Sequence, residues 1–161
     1  MENVYIGLGS NLADPQAQVE AGVRALARLP KTRLVARSRL YRSAPWGRTD
    51  QPAFVNAAAV LETDLAPREL LDALLALERA GGRERDGTRW GPRVLDLDIL
   101  LFGERHIDEP GLHVPHRHLH ERAFVLVPLA DIAPRLAIPG HGGIADLLAR
   151  IDVSTCERMA E

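Results

Sequence analysis

An α+β fold with a mostly antiparallel sheet is predicted by three features: two leucine- and valine-rich stripes at helical spacing, four apolar runs of strand character around them, and glycine or proline at the junctions. The resulting order, strand, helix, strand, strand, helix, strand, is the split βαβ or ferredoxin-like arrangement, whose two helices lie on one face of the sheet. Two further helices are expected toward the carboxyl terminus.

Val4-Tyr5-Ile6-Gly7-Leu8-Gly9 reads as a short strand, and Asp14-Pro15 supplies an N-cap followed by proline at the first helical position. Val19, Val23, Leu26 and Leu29 then fall on one stripe until Pro30 stops the helix. From Thr32 to Tyr41 the chain alternates, with Leu34, Ala36, Ser38 and Leu40 on one face, as in a single strand with one wet side. Residues 43–52 carry two prolines, one glycine and Trp46 without periodicity, which predicts a loop. Phe54 through Leu61 is the third strand. Leu65-Ala66-Pro67 opens the second helix, with Leu70, Leu71, Leu74, Leu77 and Glu78 on one face before Gly81-Gly82 ends it. An arginine-rich loop leads into the fourth strand, Val94 to Phe102. The C-terminal helices are expected near Ala123–Ala130 and Ile144–Arg150.

A chain of 161 residues fits one domain, 1–161, that buries about two-thirds of the surface its unfolded form exposes. With 46% hydrophobic and 26% charged residues the composition is that of a globular protein. No stretch has the length and apolarity of a membrane span, and the start of the chain lacks a basic segment ahead of its apolar run, so a cytoplasmic address is expected. The lone Cys156 suits that compartment and reads as a bystander. A formal net charge of −2 gives no basic field for nucleic acid. All 20 basic residues except Lys31 are arginine, so a polyphosphate site must rest on guanidinium groups, which bind phosphate oxygens bidentately.

The sharpest chemical feature is Leu95-Asp96-Leu97-Asp98-Ile99, because strand alternation turns Asp96 and Asp98 to the same face. Paired carboxylates hold hard cations such as Mg²⁺, which keep water and substrate phosphates as their other ligands. Upstream, residues 83–93 gather Arg83, Arg85, Arg89 and Arg93 with Trp90 in a glycine-containing loop, as a phosphate clamp requires. Gly7-Leu8-Gly9-Ser10-Asn11 is no P-loop, since it lacks the lysine and the spacing; its glycines imply close packing or a turn. Phe54, Asn56 and Phe124 could supply a flat apolar slot with a polar contact.

These residues, in this order, resemble the hydroxymethyldihydropterin pyrophosphokinase family. The resemblance is carried by Tyr5-Ile6-Gly7-Leu8-Gly9-Ser10-Asn11-Leu12, Phe54-Val55-Asn56-Ala57, Val114-Pro115-His116, Glu121-Arg122-Ala123-Phe124, and above all by the run from Arg89-Trp90-Gly91-Pro92-Arg93 through Asp96 and Asp98 to Gly103. It implies transfer of the β,γ-diphosphate of ATP to the hydroxyl of 6-hydroxymethyl-7,8-dihydropterin, with two Mg²⁺ ions on Asp96 and Asp98. Arg83 and Arg93 would clamp the phosphates, and Arg85, Trp90, His116 and Arg122 would assist nucleotide binding, with Glu78 and Ile99 near the adenosine. The pterin would lie against Phe54, Phe124 and Trp90, its edges read by Ser43, Ala44, Pro45, Trp46 and Asn56. The implied partners are these two small molecules, without nucleic acid or membrane, and the implied state is a monomer. Phe54, Ala44, Trp46, Leu75, Gly111, His113 and Arg117 depart from the family pattern.

Two rival readings use other residues. His113, His116, His118 and His120 crowd one segment as a metal-binding module would require, but neither a cysteine pair nor an H-E-x-x-H helix accompanies them. A nucleic-acid reader on a ferredoxin-like sheet would need an aromatic RNP run, and only Tyr5 and Phe54 are offered by the first and third strands.

Overall fold

A computed structural model describes residues 1–11, 14–43, 53–82 and 95–159. The first apolar run becomes strand β1 (Glu2–Ser10), in which Val4, Ile6 and Leu8 are buried and the alternate residues Tyr5, Gly7 and Gly9 take the other face. Helix α1 (Pro15–Leu26) starts where the sequence places it: Asp14 adopts φ 62° and its Oδ1 accepts the Ala17 N–H at 3.3 Å.

The expected strand from Thr32 to Tyr41 divides into β2 (Thr32–Arg37) and β3 (Tyr41–Ser43). Its break is chemical. The Ser38 hydroxyl accepts the Ala58 N–H at 2.8 Å and donates to the Arg39 carbonyl at 2.7 Å, so a side-chain oxygen occupies the place of a ladder carbonyl. A register shift between Leu34 and Ala36 leaves Val35 exposed and disrupts the simple alternation.

Strand β4 (Phe54–Thr63) is the spine of the sheet, pairing antiparallel with β1 on one side and with β2 and β3 on the other. Helix α2 (Pro67–Gly82) follows, and β5 (Asp96–Phe102) then pairs antiparallel with β1. Three small elements and a helix come next: the hairpin β6 (Ile107–Glu109) and β7 (Leu112–Val114), a 3₁₀ turn at Leu119–Glu121, and α3 (Ala123–Ile132). The hairpin β8 (Ala137–Ile138) and β9 (Gly142–Gly143), helix α4 (Ile144–Leu148) and strand β10 (Cys156–Arg158) complete the described chain. None of the short hairpins, nor β10, has a strong enough apolar pattern to be read from sequence.

Among the described residues the main sheet runs β10-β3-β4-β1-β5, with β2 also paired to β4. Helices α1 and α2 cover one face, where Val19, Val23, Leu26, Leu70 and Leu74 pack on Val4, Ile6, Val55, Ala57 and Leu97. The C-terminal helices take the opposite face, with Leu126, Leu129, Ile144 and Leu147 on Ala58, Leu100 and Leu101. A register irregularity in the β1–β5 ladder, where Tyr5 pairs Leu101 but Ile6 pairs Ile99, lets Leu100 and Leu101 serve one layer while Phe102 serves the other. Cys156 stands opposite Ser43 in β10, and burial pushes its thiol pKa up to about 11. No helix among the described residues is long and apolar enough to cross a membrane.

Phe102 is 1% exposed at the end of β5 and is among the largest fully buried side chains. Phe102→Ala is expected to destabilise the fold by about 3–5 kcal/mol, read as a lowered urea midpoint with an unchanged slope.

Candidate active site

The ladder register builds the site. Gly9 pairs with Asn56 of β4 on one side and with Asp96 of β5 on the other, and Gly7 pairs likewise with Ala58 and Asp98. Side chains in register share a face, so Asn56, Asp96 and Asp98 flank a strip of β1 that has no side chains. Phe54 lies on the same face, and Phe124 at the start of α3 closes over it. The result is a slot of about 80 Å³ lined by Gly7, Gly9, Phe54, Asn56, Asp96, Asp98 and Phe124.

Asn56 is the fixed polar group of this slot. It is 6% exposed, and its Oδ1 accepts the Ser43 hydroxyl at 2.8 Å. Its Nδ2 is directed over Gly9, where an added Cβ would lie only 2.9 Å from it. The glycine therefore makes room for the amide as well as for a ligand. Arg122 supports the aromatic wall, its guanidinium carbon 5.6 Å from the centre of the Phe124 ring.

A second cavity, of about 230 Å³, lies on the other side of Asp98. Its lining includes Leu71, Ile99, Leu112, His116 and Arg117, so an apolar floor meets polar groups at the rim. Asp98 borders both cavities. His116 is carried to β5 by its backbone N–H, which donates to the Leu100 carbonyl at 3.0 Å, and its Nδ1 is buried without a hydrogen-bond partner among the described residues. Burial lowers its pKa, partly opposed by the Asp98 carboxylate and reinforced by Arg122, His118 and His113. A third cavity, of about 500 Å³, shares Phe124 and is lined by Ser43, His118, Glu121, Arg122, Asp152 and Thr155.

The structure thus gathers Asp96, Asp98, Phe54, Asn56 and Phe124 in one slot, with Ser43 behind Asn56, and puts Ile99 and His116 in the cavity beyond Asp98. Arg122 and Ser43 open on the third cavity, on the far side of Phe124. Glu78 does something its helical spacing did not indicate: its Oε2 accepts the N–H of Leu97, between the two aspartates, at 2.7 Å. Arg83, Arg85, Trp90 and Arg93, together with Ala44, Pro45 and Trp46, lie outside the described residues. The crowded histidines separate. His113 pairs with Asp108 at 2.6 Å, whereas His118 and His120 both face Glu121 and His120 stacks on His141. Among the described residues no three His, Cys, Asp or Glu side chains converge as a metal cage. The feature undervalued in the sequence is the pair of alternate glycines in β1, whose spacing of two marks one bare strand face.

Residues 5–134 match the model of the 7,8-dihydro-6-hydroxymethylpterin-pyrophosphokinase family. A Pseudomonas aeruginosa 2-amino-4-hydroxy-6-hydroxymethyldihydropteridine pyrophosphokinase is 56% identical over 99% of this chain and 98% of its own length. One from Methylorubrum extorquens bearing the same name is 48% identical over 99% of each chain. Among solved structures, a Plasmodium falciparum HPPK-DHPS chain superposes with a TM-score of 0.76 at 14% identity, a likeness of fold that covers 98% of this chain and 48% of that longer one.

Gly9→Ala should drive its new methyl group into Asn56 and weaken binding of the pterin implied by the resemblance by about tenfold, measured by calorimetric titration. Gly7→Ala should do less, because its Cβ meets the flexible Leu100 side chain at 3.3 Å.

Proposed function

The chain belongs to the 7,8-dihydro-6-hydroxymethylpterin-pyrophosphokinase family, and on that premise we propose that Asp98 stands between its two substrates, the pterin in the glycine-floored slot and ATP in the cavity beyond. The enzyme is a pyrophosphokinase of folate biosynthesis that transfers the β,γ-diphosphate of ATP to the hydroxymethyl oxygen of 6-hydroxymethyl-7,8-dihydropterin. A bond forms between that oxygen and the β-phosphorus as the hydroxyl releases its proton to solvent, the bond from the β-phosphorus to the α,β-bridging oxygen breaks, and AMP leaves. The observation that carries the assignment of substrates to cavities is the position of Asp98 on the wall of both.

Asn56, with its amide oriented by Ser43, reads an edge of the pterin, and Phe54 and Phe124 hold its faces. Ile99 and the apolar floor take the adenine, while His116, kept neutral by burial, offers a hydrogen bond without adding charge. Asp96 and Asp98 supply oxygen donors on one strand face, a donor set that fits a hard divalent cation with open positions for water and phosphate. Two Mg²⁺ ions held there by Asp96 and Asp98 would neutralise phosphate charge and make the β-phosphorus a better electrophile for the hydroxymethyl oxygen. On the same resemblance Arg83 and Arg93 are assigned as the clamp on the transferring phosphates, Arg85 and Arg122 as aids to nucleotide binding, Trp90 as a contact to both substrates, and Ala44, Pro45 and Trp46 as readers of the pterin's edges, with residues 43–52 and 82–93 excluding water. Glu78 acts through the β5 backbone.

The strand order β5-β1-β4, continued by β2 and β3, supports the ferredoxin-like assignment, and the described elements are consistent with one domain over 1–161. We read the enzyme as a cytoplasmic monomer.

AMP release from ATP and Mg²⁺ should require the pterin and should fall on the order of a hundredfold or more in Asp98→Asn, which removes the charge and keeps the shape. Formation of ADP, or AMP release indifferent to the pterin, would sink the assignment.

A further inference from the structure

Phe124 roofs the slot, so whatever holds α3 in place sets where that roof lies. The helix itself is weakly made at this end. Its N-cap, Arg122, makes no side-chain hydrogen bond to the first turn, and no acidic residue stands there to complement the free N–H groups. Pro128 lies inside the helix and has no N–H to donate to the Phe124 carbonyl four residues back. The turn that carries the roof thus lacks both a side-chain cap and one of its helical hydrogen bonds.

The other end of α3 is tied down. Asp131 falls about two turns after Phe124 on the same stripe of the helix. Its Oδ2 accepts the N–H of Arg39 at 2.9 Å, across 92 residues of sequence. Arg39 lies between the end of β2 and the start of β3, outside both ladders with β4. Buried Tyr41, in register with Asn56, faces the same carboxylate; its pKa is raised by burial first and by Asp131 second, with Arg158 and Arg39 opposing. Leu126 and Leu129 also hold α3 to the sheet, through Ala58, Leu100 and Leu101. Apolar contacts are non-directional and do not fix where a helix stops along a sheet. A hydrogen bond to a backbone N–H does.

We propose that Asp131 is a positioning residue for the pterin: by fastening α3 to the backbone at Arg39 it sets where Phe124 lies over the slot. The inference rests on the assignment of the pterin to that slot. Asp131 is outside the lining of all three cavities around the site, so it acts through Phe124 and touches neither substrate.

The test is calorimetric titration of 6-hydroxymethyl-7,8-dihydropterin into enzyme saturated with α,β-methylene-ATP and Mg²⁺. Asp131→Ala should weaken pterin binding about fivefold, the scale of one lost hydrogen bond to a charged acceptor. Asp131→Asn should recover most of the loss, because its amide oxygen still accepts the Arg39 N–H. In the Phe124→Ala background Asp131→Ala should have no further effect, since nothing remains for it to position. Nucleotide affinity should stay at the wild-type level, and the KM for the pterin should rise while kcat is retained. Val23→Ala, which thins the hydrophobic layer on the other face of the sheet, should lower the urea midpoint without moving pterin affinity. Pterin affinity in Asp131→Ala within twofold of the wild type would overturn the proposal. So would an Asp131→Asn variant as weak as Asp131→Ala, equal losses for nucleotide and pterin, or an undiminished effect in the Phe124→Ala background. A wild-type enzyme that binds no pterin, or releases AMP without it, marks failure of the functional assignment and removes the premise.

Discussion

The site depends on how the outer edge of β5 is satisfied. This strand pairs with β1 on one side only, so the polar backbone groups on its other side must find partners elsewhere or face water. Among the described residues no further strand takes them. The Leu97 N–H goes to the carboxylate of Glu78 in α2, and the Leu100 carbonyl goes to the backbone N–H of His116. A helix and a loop are thus attached to the strand that carries Asp96 and Asp98, at points beside the two carboxylates. Leu100 is also the residue passed over in the β1–β5 register, so the same irregularity that distributes Leu101 and Phe102 between the two hydrophobic layers accompanies the seat of His116.

The opposite edge of β5 contributes emptiness. Two glycines on one face of β1 leave a trough between β4 and β5, and the register puts Asn56 and Asp96 on its two banks at the same level. A trough needs a roof, which α3 supplies with Phe124. Since α3 packs on the sheet face opposite to α1 and α2, the C-terminal third of the chain both completes the second hydrophobic layer and closes the slot. Strand β10 extends this coupling, because it pairs with β3 and places Cys156 opposite Ser43, whose hydroxyl orients Asn56. Packing and recognition are built from the same contacts here.

The histidine-rich segment shows how little adjacency in sequence says about convergence in space. His113 belongs to a hairpin and turns to Asp108; His116 turns inward between Asp98 and Arg122; His118 and His120 face Glu121, and His120 stacks on His141 with ring centres 4.1 Å apart. The hairpin and the 3₁₀ turn rotate successive side chains in different directions, which disperses what the sequence lists side by side. His113, His118 and His120 then take the partners that their elements provide.

Much of this was determined by the sequence alone. Helical stripes, strand runs and the Asp14-Pro15 cap follow from periodicities of 3.6 and 2 and from backbone rules that act over a few residues. The facing of Asp96 and Asp98 follows from alternation within one strand, and the family resemblance adds the reaction. The tertiary structure decided what depends on long-range pairing: the division of the strand at Ser38, whose hydroxyl captures an N–H from β4; the hairpins and β10, too short to carry a pattern; the bulge in the β1–β5 ladder; the helices on the second face. It also decided that Glu78 would brace β5, that Gly9 would lie beneath Asn56, and that Asp98 would separate two cavities. Local rules constrain each residue's conformation and the face it presents, but register is a relation between distant strands, and a cavity exists only where several such relations leave a gap.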